Sequence, residues 1–248
     1  MSILARDMTR MLDPASVMRE AAMTPDHWQE AVLNSDARRM LLLCSRQSGK
    51  STTCASLAVH QALYDPGLVL LIAPAQRQSS ELFRKVREVY SALDDVPRIV
   101  QESALRLELA NGSRIIALPG TEGTIRGYSG AKTVIIDEAS RVDNALFAAV
   151  RPMLATTNGR FVALTTPFGK RGWFWEMWND SEGWHRTKVT AHDCPRIDAQ
   201  WLEEERRLVG DWQFRQEYLC EFVDTDEQFF ASDLIEAAMS HEVAPLWN

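Results

Sequence analysis

The sequence predicts an α/β fold, a mostly parallel central sheet with helices on both faces. Three observations carry that expectation. Continuous apolar runs at residues 41–43, 68–73, 134–136 and 161–164 fit strands buried on both sides, rather than the alternation of a half-exposed strand. Segments of helical length and pattern lie between several of them, the order that builds parallel strands. Three of the runs end in polar clusters, at Gly49-Lys50-Ser51, Asp137-Glu138 and Thr165-Thr166. In open parallel sheets ligands sit at the carboxyl ends of the strands, so one site is expected to draw on all three clusters.

With 248 residues, 46% of them apolar, the chain can form one large domain, or one domain and a small appendage. The net charge of −7 argues against a protein that coats nucleic acid by charge alone. Any DNA contact must come from a local patch. Cys44, Cys54, Cys194 and Cys220 form neither a Cys-x-x-Cys pair nor a Cys/His metal spacing. They read as reduced, mostly buried thiols. No apolar stretch nears the roughly 18 residues of a membrane span. Arg6, Asp7, Arg10 and Asp13 interrupt any signal-peptide core.

In chain order, residues 1–23 form an arm that sets Ile3, Leu4, Met8, Met11, Leu12, Val17 and Met18 between charges. Two short helices divided near Pro14 are expected, docked on the main domain or on a neighbour. Thr24-Pro25 reads as a helix start, Thr24 as N-cap and Pro25 in the first helical position. That helix runs to about Leu33 and carries Gln29. A glutamine amide can pair with N6 and N7 of adenine; a solvated helix side chain is the alternative.

Residues 41–51, Leu-Leu-Leu-Cys-Ser-Arg-Gln-Ser-Gly-Lys-Ser, pass from strand through turn into a helix over 52–63. This is the order of a phosphate-binding P-loop, whose inward N–H groups and helix N-terminus wrap a polyphosphate. Lys50 would reach the β- and γ-phosphates and Ser51 would hold Mg²⁺. The pattern departs from its usual form at Cys44, where a glycine is expected.

Asp65-Pro66-Gly67 is a turn, 68–73 a buried strand and 76–90 a helix with Leu82, Phe83, Val86 and Val89 inward. Leu105, Leu107 and Leu109 alternate with charges before Asn111-Gly112 and a second run over 114–118, a hairpin signal. Residues 120–130 are a glycine-rich loop around Arg126. The strand over 133–136 ends in Asp137-Glu138, the Walker B form. Asp137 would hold the metal shell and Glu138 would polarise the attacking water. Thr165 or Thr166, after the strand over 161–164, would sense the γ-phosphate. Residues 173–178 read as a helix, 187–190 as a strand and 199–218 as a helix broken near Gly210. Charge compensation in phosphoryl transfer calls for an arginine. Arg46 would serve its own subunit and Arg126 a neighbour's; a solvated charge is the alternative for each.

Together these motifs resemble the ATPase domain of the large terminase subunit of tailed bacteriophages, the motor that packages DNA into procapsids. The likeness rests on Arg46-Gln47-Ser48-Gly49-Lys50-Ser51, a deviant Walker A, and on Ile72-Ala73-Pro74. It rests also on Ile125-Arg126-Gly127, Ile136-Asp137-Glu138-Ala139 and Thr165-Thr166-Pro167. A closing signature, Phe214-Arg215-Gln216-Glu217-Tyr218-Leu219-Cys220-Glu221-Phe222, completes it. The resemblance covers about residues 24–223. It implies a P-loop NTPase fold of the ASCE/RecA-like kind with a small C-terminal lid, residues 1–23 as an arm and 224–248 as a linker toward an absent nuclease domain, so that DNA cutting is not expected of this chain.

The implied site is Gln29 on adenine; Arg46, Gln47, Ser48, Gly49, Lys50, Ser51 and Thr52 around ATP; and Ser51 and Asp137 on Mg²⁺. Glu138 is implied as catalytic, Thr165 and Thr166 as coupling, and Arg126 as an arginine acting in trans within a ring. Implied partners are double-stranded DNA, the portal protein, the small terminase subunit and further copies of the chain. The isolated domain is expected as a monomer or a ring member, in the host cytoplasm and transiently docked on the procapsid. Phosphate contacts are expected among Arg98, Arg106, Arg114, Lys170 and Arg171. The rival readings are a helicase-like translocase and a nucleotide-binding assembly switch that hydrolyses little.

Overall fold

A computed structural model describes residues 2–120, 122–125, 127–180 and 182–223. The strands are β1 (Arg39–Cys44), β2 (Leu68–Ala73), β3 (Ile99–Ser103), β4 (Arg106–Leu109), β5 (Arg114–Pro119), β6 (Ala131–Asp137), β7 (Arg160–Thr165) and β8 (His185–Val189). They form one sheet in the order β3-β4-β5-β2-β6-β7-β1-β8. From β5 to β8 every pairing is parallel, and only β3-β4 and β4-β5 are antiparallel. The expected α/β class and mostly parallel sheet are what the chain adopts.

Alternation along the strands divides the core in two. Met40, Leu42 and Cys44 of β1 pack with Val69 and Leu71 of β2 against α3 (His27–Leu33), α4 (Lys50–Tyr64) and α5 (Gln76–Ser91). Leu41, Leu43, Leu70 and Ile72 face the other side, against α7 (Asn144–Val150) and α8 (Gly172–Asp180). Successive strand side chains point to opposite faces. A run that is apolar at every position is therefore what two covered faces demand, and β2 is buried throughout.

The arm forms α1 (Ile3–Leu12) and α2 (Ser16–Glu20), divided at Pro14 as expected. It docks on its own domain through both apolar and polar groups: Ala15, Val17 and Met18 are buried in the core with Val32, Leu33 and Leu57, and polar contacts hold α1. Arg10, 1% exposed, pairs with Glu20 and donates to the Asp94 carbonyl at 3.1 Å, and Tyr64 Oη donates to Asp7 Oδ1 at 2.8 Å. Ile3, Leu4, Met8, Met11 and Leu12 lie exposed instead of packing inward.

A helix cap and an edge strand depart from the sequence expectation. The cap of α3 is Asp26 rather than Thr24. Gln29 Oε1 accepts the Asp26 N–H at 2.8 Å, the returning half of a capping box, and that bond fixes the start of the helix past Pro25. The sheet also has an edge strand, β3, that the sequence pattern does not announce; every residue of it is exposed, so no apolar periodicity marks it. The Asn111-Gly112 hairpin forms as read, with Gly112 at φ +86°. The helix over 199–218 breaks at Gly210, giving α9 (Ala199–Val209) and α10 (Asp211–Glu217). A short α6 (Glu122–Ile125) precedes β6. No helix among the described residues is long and apolar enough to cross a membrane.

Candidate active site

The sheet order puts β6, β7 and β1 side by side and parallel. Register aligns Asp137 with Leu164 and Leu43 with Thr165. The three polar clusters therefore leave the sheet at one level and meet in one cleft of about 550 Å³. Lys50 Nζ is 3.2 Å from Glu138 Oε1 and donates to Thr166 Oγ1 at 3.1 Å. Ser51 Oγ donates to Asp137 Oδ2 at 3.1 Å. Residues from three strand ends thus touch across 86 to 116 positions of sequence.

The backbone explains the departure at Cys44. Cys44 is the buried last residue of β1, in the ladder with Val189. The turn's positive φ angles fall at Gln47 (59°) and Gly49 (91°), so no glycine is required at 44. The outer side of the loop is held by its carbonyls. Arg196 Nη2 donates to the Ser48 carbonyl at 2.9 Å, and Thr53 Oγ1 donates to that of Gly49 at 3.2 Å. A Cβ on Gly49 would lie 2.9 Å from Gln29 Nε2, closer than real Cβ contacts.

Glu138 sits in the left-handed region, φ 52° and ψ 43°. Two neighbours on a regular strand point to opposite faces. The left-handed residue turns the chain at the strand end, so that Asp137 meets Ser51 while Glu138 meets Lys50. A non-glycine residue held there costs on the order of 1 kcal/mol and marks a site where geometry is imposed. Asp137 Oδ1 accepts the Glu138 N–H at 2.9 Å.

The charge balance is uneven. Burial first, and the charge of Glu138 second, push the Asp137 carboxyl up to about 6, against Lys50 and the Ser51 hydrogen bond, which lower it. Burial works against the Lys50 ammonium, yet Glu138 and Asp137 outweigh it and raise its pKa. Two carboxylates thus share one lysine, a cluster in which one more cation would be at home.

Gln29, read in one alternative as a solvated side chain, is 1% exposed. Its amide joins Asp26 N to Thr53 Oγ1, the latter at 2.9 Å. Arg46 reaches Glu217 through Nε at 2.5 Å. Thr165 Oγ1 accepts from Ser140 N at 3.2 Å and donates to the Thr166 carbonyl at 2.7 Å, linking the ends of β6 and β7. The DNA-contact candidates do not gather. Arg98 and Arg114 lie at the amino end of the sheet, before β3 and opening β5, and Arg106 pairs with Glu108 inside β4. Lys170 and Arg171 follow β7 at the carboxyl end, with Arg171 over the Phe168 ring at 5.2 Å. Arg126 and residues 224–248 lie outside the described residues.

The family model for the terminase large subunit, T4-like-virus type, N-terminal part, matches residues 41–237. The chain belongs to this family. It is 28% identical to the large terminase subunit of Thermus phage G20c over 84% of this chain and 50% of that one. To the large subunit of Escherichia phage T5 it is 27% identical over 88% and 52%. It spans about half the length of these terminases. A mutant ATPase domain of the Thermus phage P74-26 large terminase superposes with a TM-score of 0.74 at 24% identity, over 83% of this chain and 97% of that domain. The large terminase of a thermophilic bacteriophage, in complex with ATP-γ-S, gives 0.66 at 14% identity, over 80% and 53%. These likenesses show that the terminase ATPase fold is shared.

Three residues of this terminase cleft, and one that supports the P-loop from outside it, escape the sequence reading. Lys85 comes from α5, with Nζ 3.3 Å from Thr52 Oγ1. Arg141, three positions after Glu138, lies over the Phe168 ring at 4.0 Å and lines the cleft. Arg196 and Glu217 reach the P-loop from beyond β8. Lys85 and Arg196 belong to no local motif. Arg141, being next to the Asp137-Glu138 strand end, carried a positional hint, and Glu217 stands in the closing signature without a role attached to it.

Proposed function

We propose that this chain is the ATP-hydrolysing motor domain of a terminase, driving double-stranded viral DNA into a procapsid. The observation that carries the reading is the single cleft in which Lys50, Ser51, Asp137, Glu138 and Thr166 touch. Lys50 would neutralise the β- and γ-phosphates, and the N–H groups of residues 47–52 would line the rest. The donor set fits Mg²⁺. Ser51 and Asp137 already share a hydrogen bond, and burial and the neighbouring Glu138 raise the Asp137 carboxyl, so a cation beside it would be favoured. Among the described residues no group of three or more His, Cys, Asp or Glu could hold a metal alone. That suits an ion bound by one carboxylate, one hydroxyl and substrate oxygens. Magnesium, when bound, would offset charge building on the phosphates.

Glu138 would orient the attacking water and take its proton. Thr166, already on Lys50, and Thr165, on Ser140 N, would report loss of the γ-phosphate to the strand ends. Adenine pairing by Gln29 would need its amide to give up the Asp26 or Thr53 bond. Arg46 and Arg126 are the proposed transition-state arginines, Arg126 in trans within a ring of copies that meets the portal protein and the small subunit. Sequence-blind, salt-dependent phosphate contacts are proposed among Arg98, Arg106, Arg114, Lys170 and Arg171.

The test is turnover against binding. Glu138→Gln is expected to keep ATP affinity and lose about 10²–10⁴-fold in single-turnover rate. Equal rates in variant and parent would reject the assignment. Arg126→Ala should likewise bind and fail to turn over. Mixing it with Glu138→Gln should restore part of the activity, and absence of rescue at every ratio would exclude action in trans.

A further inference from the structure

α1 is laid on the domain by its polar face. Arg6 pairs with Asp94 and Asp95, which follow α5, at 3.3 and 3.1 Å. Arg10 is buried, and its carbonyl lies 3.0 Å from His60 Nε2 on α4. Leu4, Met8, Met11 and Leu12 recur at helical spacing on the opposite face, with Ile3 at its edge, and all five are exposed, by 49% to 72%. Of the ten exposed large apolar side chains among the described residues, five fall on this one helix. Apolar residues scattered singly over a surface are ordinary, whereas five within ten positions form a patch of the kind that marks an interaction site.

A surface of matching form lies on the other side of the sheet. α7 packs Leu146 and Val150 inward, yet its outward side is apolar too. Ala145 and Ala148 are exposed, Ala149 is half-exposed, and Pro152 continues the stripe in the 3₁₀ turn over Arg151–Leu154. With Tyr128 and Met153 they line a groove of about 600 Å³. A helix that is apolar all round is ordinarily covered. The outer stripe over residues 145–152 is about 12 Å long and α1 about 15 Å, at 1.5 Å per residue. Large side chains on one helix and small ones on the other are the two halves of an interdigitating contact.

α4 separates α1 from the sheet on one side, and α7 covers the opposite side. The patch and the groove of one molecule therefore cannot meet. We infer that α1 of one copy docks in the α7 groove of the next copy, large apolar side chains against alanines. Complementary surfaces on opposite faces repeat from copy to copy, head to tail, and give a ring where the rotation closes. Tyr128 of the groove stands two positions after Arg126 in sequence, in keeping with the proposed action of Arg126 on a neighbour. The contact supplies the surfaces for the proposed ring of copies, and its failure would leave the nucleotide reading of the cleft standing.

The experiment follows self-association of the full chain by sedimentation velocity from about 1 μM to about 1 mM, the span of weak specific contacts. Met8→Glu and Ala148→Glu each place a charge on an exposed position, one on each surface. The parent is expected to associate with rising concentration. Each variant alone should associate at least about 100-fold more weakly, because a carboxylate would be buried unpaired. Their equimolar mixture should form dimers and nothing larger, since one chain keeps its patch and the other its groove. A parent that stays monomeric throughout overturns the contact. So does parent-like association of either variant alone, or a mixture without dimers. Cross-linking decides the matter even if a glutamate variant fails to fold. The four native cysteines are buried, so a short bismaleimide should join a Leu4→Cys chain to an Ala148→Cys chain in preference to either chain with itself. Excess dimers of the Leu4→Cys chain with itself would instead mean that α1 meets α1, and would overturn the head-to-tail contact.

Discussion

The two ends of the sheet make different clefts. At the amino end, Arg38, Arg39, Arg151, Phe147, Trp184 and His185 line a space of about 1250 Å³, against about 550 Å³ at the carboxyl end. Space is more plentiful at the amino end, whereas charged side chains are more plentiful at the carboxyl end. Arg38, however, donates to the Asn158 carbonyl, and Arg151 lies over the Phe147 ring at 5.7 Å. At the carboxyl end opposite charges and hydroxyls meet within 3.1 to 3.2 Å, in a partly buried cluster where each contact counts for more. The contrast teaches that volume does not locate chemistry here. Convergence of strand ends does, because it sets buried groups where they perturb one another.

The sharpest way to break this contrast is to remove the cation at the centre of the smaller cleft. Lys50→Ala leaves Glu138 and Asp137 facing each other and takes away the proposed phosphate contact. Truncating one partner of a buried charge pair costs about 3–5 kcal/mol. ATP affinity should therefore fall by at least about 100-fold. Equilibrium binding of ATP-γ-S would measure it, and a loss under threefold would remove Lys50 from the centre of the site.

How far the site was legible depended on how far apart its residues lie. The P-loop and the Asp137-Glu138 strand end each sit within a few consecutive positions, and their strands are buried on both faces, so periodicity and composition reveal them. Glu138's left-handed conformation is different. No residue type announces it, yet it brings two adjacent carboxylates into one cleft. Glu217 and Arg46 are 171 positions apart, and Arg196 and Ser48 148 apart; such contacts exist only once β8 has laid the end of the chain beside β1. β3 was missed for the opposite reason, since an exposed edge strand has no apolar face to read. Thr24 has the chemistry of a cap, but the Gln29 side chain chose Asp26.

A smaller effect sharpens the comparison through pH. The Asp137 carboxyl is raised from 3.8 to about 6 by burial and by Glu138. An acid whose folded pKa is raised binds its proton more tightly in the folded state. Stability from this group is therefore present below about pH 4 and is lost as pH rises through 6. Without divalent cation, Asp137→Asn should stabilise the domain at pH 7 by on the order of 2 kcal/mol, seen as a melting temperature about 4–8 °C higher, with little change at pH 4. Calorimetric melting at the two pH values checks it. A variant less stable than the parent at pH 7 would mean that the Ser51 and Glu138 hydrogen bonds outweigh the charge.

The smallest expected effect falls at that amino end. Arg39 opens β1 and is exposed, and Arg151 is exposed beyond its contact with Phe147. Replacing both by alanine removes two charges from the larger cleft and none from the smaller. At 0.15 M ionic strength the Debye length is about 8 Å, so exposed charges beyond that distance are largely screened from the proposed phosphate site. ATP affinity and basal turnover should both stay within about twofold of the parent. A tenfold change in either would show that the two clefts are coupled through β1 and β7, the strands whose opposite ends line them, and the contrast between the ends would then describe one site with two mouths.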